Sequence, residues 1–161
     1  MLFRSLGVLS DTHSLLLPPP LLEGLRKTDF IIHAGDICDR ETLRRLEAIA
    51  PLKAVQGNMD EPALKKQLPL KEIFELEGIK FGVYHGHGPG RGALVNAQEQ
   101  FKNDAVGVVI FGHSHQPFNQ KINGVLYFNP GSPNDAVRAP YFSYGLITIT
   151  AGKIKPAIVK I

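Results

Sequence analysis

The chain has 161 residues, 43% hydrophobic and 20% charged, with a formal net charge of +3. That length fits a single domain over residues 1–161, and the composition excludes a disordered chain. The charge is too mild for a nucleic-acid footprint, and no apolar run is long enough to span a bilayer. The only cysteine, Cys38, excludes a disulfide framework and a cysteine-based zinc finger. With no signal-peptide cleavage site in MLFRSLGVLSDTH, a reducing, cytoplasmic setting is expected.

Taken in chain order, residues 3–9 form a short apolar run that predicts a buried strand. Residues 15–27 are apolar but carry Pro18, Pro19 and Pro20. A helix there starts within or after the prolines, which only a first turn tolerates. Residues 29–34 (DFIIHA) predict a second strand. Leu43, Leu46, Ile49 and Ala50 mark a helix over 40–50, with Asp39 as its cap. A third strand follows at 52–56. This alternation predicts parallel β-α-β units. The second half changes character. Residues 72–76 and 79–84 flank Glu77-Gly78, 119–122 and 125–129 flank Asn123-Gly124, and 142–150 and 153–161 flank Ala151-Gly152: three hairpins. Between the first two lie a helix over 93–102 and a buried strand over 106–111. The expectation is an α/β fold with mixed sheets and helices outside them.

The polar residues of interest sit at strand ends: Asp11-Thr12-His13, Gly35-Asp36, Gly57-Asn58, His85-Gly86-His87 and Gly112-His113-Ser114-His115. Loops past the carboxyl ends of strands form the ligand crevice of an open α/β sheet. Five strands therefore deliver carboxylates, an asparagine and histidines to one edge, which reads as a metal site. If the segments are extended, Asp-x-His and His-x-His aim alternate side chains in one direction. Nitrogen and oxygen donors suit Mn²⁺, Fe, Co²⁺, Ni²⁺ or Zn²⁺, and seven donors suit two ions better than one.

Those five pieces, in that order, resemble the calcineurin-like metallophosphoesterases. The small size, Gly57-Asn58-Met59-Asp60 and Asn129-Pro130-Gly131-Ser132 narrow the resemblance to the compact YfcE/Vps29-type branch, and it runs from residue 6 to about 150. It implies a four-layer αββα sandwich with two mixed β-sheets. It further implies one divalent ion on Asp11, His13, Asp36 and His115 and a second on Asp36, Asn58, His85 and His113, with Asp36 bridging and Mn first among the metals. A metal-bridging hydroxide would attack a small phosphoester, a diester rather than a monoester. Asp36, Asn58 and His87 are the expected catalytic residues, with His87 near substrate or supporting the ligands. Met59 stands where many relatives carry a histidine thought to protonate the leaving group, and a thioether has no proton to give.

Plainer readings compete locally. Asp11 is a common helix cap, Asn58 a common turn residue, and His113 and His115 ordinary loop histidines. His33, inside the second strand, reads as a satisfied buried histidine, Cys38 as small and packed, and Asp60 as a partner for backbone or a helix cap. Arg91 reads as an exposed loop cation. The alternative function is a Vps29-like interaction scaffold that retains the metal site. A homo-oligomer is left open.

Overall fold

The computed structural model describes residues 3–161. Its first strands are β1 (Phe3–Leu9), β2 (Phe30–His33) and β3 (Leu52–Ala54), with helices α1 (Pro19–Leu25) and α2 (Arg40–Glu47) between them. Then come α3 (Pro62–Gln67), β4 (Lys71–Leu76), β5 (Ile79–Tyr84), α4 (Ala93–Phe101), β6 (Val108–Ile110), β7 (Phe118–Ile122), β8 (Val125–Asn129), β9 (Ser143–Thr150) and β10 (Lys153–Lys160). They build two five-stranded sheets, β10-β9-β1-β2-β3 and β4-β5-β6-β8-β7. Both are mixed. β1, β2 and β3 run parallel in one sheet, and β5, β6 and β8 in the other, while the three hairpins add antiparallel strands. Pro156, which cannot donate to a ladder, falls on the edge strand β10.

Alternation along the strands makes the layers. Leu6 and Val8 of β1, Ile32 of β2, Phe81 and Val83 of β5, Val108 and Ile110 of β6, and Phe128 of β8 share the core between the sheets. The other faces meet helices. Leu9 and Ile31 pack with Leu21 and Leu25 of α1 and Leu46 of α2. Tyr84, Val109 and Phe111 pack with Ala97 and Phe101 of α4. Each fully buried Leu or Ile contributes about 1.5–3 kcal/mol. The result is the expected helix–sheet–sheet–helix sandwich.

Asp39 caps α2 as expected, accepting from Thr42 N at 2.7 Å. Helix α3 is not signalled in the sequence. Its six residues are too short for a periodic stripe, and only Leu64 is buried. Its Leu64 packs with Leu43 of α2 and with Ile37 in the loop before α2. No helix among the described residues is long and apolar enough to cross a membrane.

Candidate metal centre

The parallel strands bring their carboxyl ends to one edge, and hydrogen bonds past those ends join the two sheets. His113 N donates to Asp11 Oδ2 at 2.9 Å, Ser132 Oγ to Asp11 O at 2.9 Å, and His85 Nδ1 lies 2.7 Å from Ala34 O. Within the first sheet, Asp11 N and His13 N donate to Gly35 O and Asp36 O, each at 3.0 Å.

The segments are not extended there. Asp11, His13, Asp36, His113 and His115 have φ of +58°, +48°, +58°, +68° and +58°. Left-handed turns, not strand alternation, aim the paired side chains, which corrects the expectation from the D-x-H and H-x-H spacing. Such backbone costs about 1–2 kcal/mol per residue and persists where surrounding bonds fix it, typically at functional sites. Glycines make room for the ligands. A Cβ on Gly57 would strike the Asp36 carboxylate, and one on Gly112 would strike Ser10 Oγ.

Five side chains converge on one space. His85 Nε2 is 3.2 Å from Asp36 Oδ2 and 3.8 Å from Asp11 Oδ1. His13 Nε2 is 3.6 Å from Asp36 Oδ2 and 3.7 Å from Asp11 Oδ1. His115 Nε2 is 3.3 Å from Asp11 Oδ1. Two donor groups result, Asp11–His13–His115 and Asp11–Asp36–His85, with the donor atoms of each within 4.8 Å of one another. Asp36 Oδ2 lies between His13 and His85, and Asp11 Oδ1 is common to both groups.

These donors fit divalent ions. Asp11 Oδ1 and His85 Nε2 are buried without a hydrogen-bond partner among the described residues, which is costly unless a cation meets them. His85 turns Nδ1 to Ala34 O at 2.7 Å, leaving the Nε2 lone pair facing the carboxylates. His13 and His115 face each other Nε2 to Nε2 at 3.2 Å, which requires a proton or a cation between them. Electrostatics agree. Burial pushes the Asp11 carboxyl up, but His115 and His13 outweigh it and hold it well below the usual range. Asp36 is also held low, its burial outweighed by His85. Contact with Asp11, then Cys38, raises His13 to about 9. A space that draws protons this strongly is one that would draw metal cations.

The remaining expected residues lie further out. His113 and the exposed Asn58 line a cleft of about 470 Å³ together with His13, Asp36, Met59, His115, Leu15, Val137 and Arg138. Met59 N donates to Asp36 Oδ1 at 2.8 Å, and its side chain stands 60% exposed at the mouth. His87 does not line this cleft. It stacks on Tyr84 at 5.5 Å, beside His85 at 5.5 Å and His113 at 6.3 Å, and burial, then the charges of those histidines, lower its pKa.

Supporting residues complete the centre. Asp60 accepts from Gly57 N and Cys38 N, both at 2.6 Å, as expected for a residue that holds backbone. His33 is fully buried, accepting from Gly35 N at 3.1 Å and lying 3.1 Å from Thr12 Oγ1. Asn129 donates to Gly112 O at 3.1 Å and Ser114 Oγ at 3.0 Å, bracing the His113–His115 turn. Cys38 differs from its reading as merely packed, because its Sγ lies 3.6 Å from His13 Nδ1. Asp135, bonded to His115 Nδ1, lies in a Ser-Pro-Asn-Asp run that reads as an ordinary turn, and no sequence signal marks it.

Comparison with known proteins places the chain in a family. The model of the calcineurin-like phosphoesterase superfamily domain matches residues 5–152. A probable metallophosphoesterase of Methanocaldococcus jannaschii is 41% identical over 133 residues, covering 80% of this chain and 67% of that protein. A phosphodiesterase of the same organism is 29% identical over 143 residues, covering 78% of this chain and 82% of that protein. Among solved structures, Vps29 of Entamoeba histolytica complexed with Zn²⁺ is similar at a TM-score of 0.74 and 25% identity, covering 97% of this chain and 98% of that one. With the family model matched along nearly its whole length and a metal-suited donor set at the sheet edge, this chain belongs to the calcineurin-like phosphoesterase superfamily.

Proposed function

We propose that the chain is a dinuclear-metal phosphoesterase that prefers small phosphodiesters, works with Mn²⁺ and acts in the cytoplasm. The observation that carries this reading is the buried, unpartnered pair Asp11 Oδ1 and His85 Nε2, 3.8 Å apart beneath an open cleft. In this reading Asp11, His13, Asp36 and His115 hold one ion, and Asp36, Asn58, His85 and His113 the other. Two such ions, when bound, supply a nucleophilic water at neutral pH and positive charge for the phosphoryl oxygens. The chain's own residues fix the geometry. Asp36 is oriented by Met59 N, His85 by Ala34 O, and the His113 backbone by the Asp11 carboxylate. His87 supports His85 and His113 from outside the cleft instead of touching substrate.

The diester preference rests on Met59. A side chain without a proton to give, at the cleft mouth, leaves the departing group to leave unprotonated. That suits activated diesters. The full donor set favours chemistry over a Vps29-like scaffold that merely keeps the site.

The test is hydrolysis of bis-p-nitrophenyl phosphate by chelator-stripped protein. Activity is expected to be absent until Mn²⁺ is returned, and to stay absent in Asp36→Ala at any metal concentration. Full turnover in excess chelator would sink the mechanism.

A further inference from the structure

Asp135 follows β8 in the turn that begins at Ser132, and its side chain is only 14% exposed. Its Oδ2 accepts from His115 Nδ1. Its Oδ1 accepts from Val137 N at 2.8 Å and Arg138 N at 3.2 Å. Asp135 N donates to Ser132 Oγ at 3.1 Å, and that hydroxyl donates to Asp11 O at 2.9 Å. The carboxylate is therefore clamped by its own loop, and the loop is tied to a metal-facing residue of the other sheet.

An imidazole that gives its Nδ1 proton to a carboxylate carries its lone pair on Nε2. For His115 that atom points at Asp11 Oδ1 and His13 Nε2, at 3.3 and 3.2 Å. A carboxylate behind a ligating histidine fixes the ring, selects the tautomer and strengthens the ligand. The metal-facing histidines differ in this respect. His85 leans on a backbone carbonyl, which no substitution removes, and His13 faces the Cys38 thiol. Of these three, only His115 has a carboxylate at Nδ1.

We propose that Asp135 is a positioning residue that holds His115 Nε2 toward the ion shared with Asp11 and His13, and so sets that ion's affinity. The proposal rests on the dinuclear reading above. It concerns this chain's own loop, since the strand-end motifs do not include Asp135.

The stripped protein is titrated with Zn²⁺ against a chromophoric chelator. Wild type is expected to take two ions. Asp135→Ala is expected to keep one at wild-type affinity and to bind the other about 10–100-fold more weakly. Asp135→Asn, whose amide oxygen still accepts but without charge, is expected to lose several-fold. Nitrogen-15 NMR of the Zn²⁺-loaded protein reads the mechanism directly. The His115 Nδ1 proton is expected to exchange slowly in wild type and Asp135→Asn, and to vanish into exchange in Asp135→Ala. Two wild-type affinities in Asp135→Ala overturn the proposal. Should that variant not fold, unchanged affinity in Asp135→Asn overturns it equally. A wild-type chain that binds no Zn²⁺ overturns the dinuclear reading along with it, whereas two ions bound alike by all three proteins overturn this inference alone.

Discussion

The floor and the rim of the cleft are built by different means. On the floor, Asp11 and His85 are fully buried and Asp36 nearly so. Backbone groups hold them: Ala34 O, Met59 N and the His113 amide. On the rim, Met59 and Val137 are 60% and 91% exposed, and Asn58 is exposed as well. Met59 and Val137 are therefore held by little burial, whereas Asn58 is a ligand in the proposed reading. The floor carries the metal-suited donors; in the proposed reading the rim sets which ester is served.

Substitutions should separate the two. Met59→His adds a proton donor to the rim, where general acids are worth about 10²–10⁴-fold. We expect hydrolysis of an alkyl phosphate monoester, whose alkoxide leaves poorly, to rise within that bound while the melting temperature stays put. No gain would place Met59 away from the leaving group. Gly57→Ala works on the floor. Its methyl would strike the Asp36 carboxylate, and overpacking of this kind costs about 1–3 kcal/mol. Thermal melting of the metal-free protein should fall accordingly, with diester turnover falling too. An unshifted melt would mean that the floor yields as easily as the rim.

The last effect concerns pH. Burial lowers His33 to about 3, far below its ordinary value of 6.5. The unfolded chain takes up this proton at a pH where the folded one refuses it. Stability from His33 is therefore full above 6.5 and declines as pH falls toward 3, by at most about 1.4 kcal/mol per pH unit. His13 works oppositely. Its pKa is raised to about 9, so its contribution is full below 6.5 and lost as pH rises through 9. Chemical denaturation of metal-free wild type and His33→Gln between pH 4 and 7 isolates the first effect, and the variant should show the shallower dependence. Equal slopes would mean that His33 is protonated in the fold.

Much of this architecture could be read in the sequence, because apolar runs, glycine-bearing turns and strand-end polar residues are local signals. Asp39 as a cap, Asp60 as a backbone partner and His33 as a buried histidine all follow from such signals. The geometry of the ligand pairs does not. Asp11 and His13 look like strand residues, and only their pairing with Gly35 and Asp36 shows the left-handed turn. Asp135 and Cys38 were hidden for a related reason. Each acts through one histidine distant in the chain, and nothing in a turn sequence records which ring it will meet. Helix α3 escaped because one buried leucine makes no periodicity.

The bonds across the sheet edge also bear on the order in which a new chain becomes competent. Asp11, His13 and Asp36 leave the ribosome early, but His115 lies 102 residues beyond His13, and Ser132 lies 121 beyond Asp11. Contacts of such separation form late, after the loops between them have closed. A half-made chain thus carries two carboxylates and a histidine without the His85 and His115 donors that complete the two groups. The donor group Asp11–His13–His115 is complete only once the second half of the chain has been made and folded.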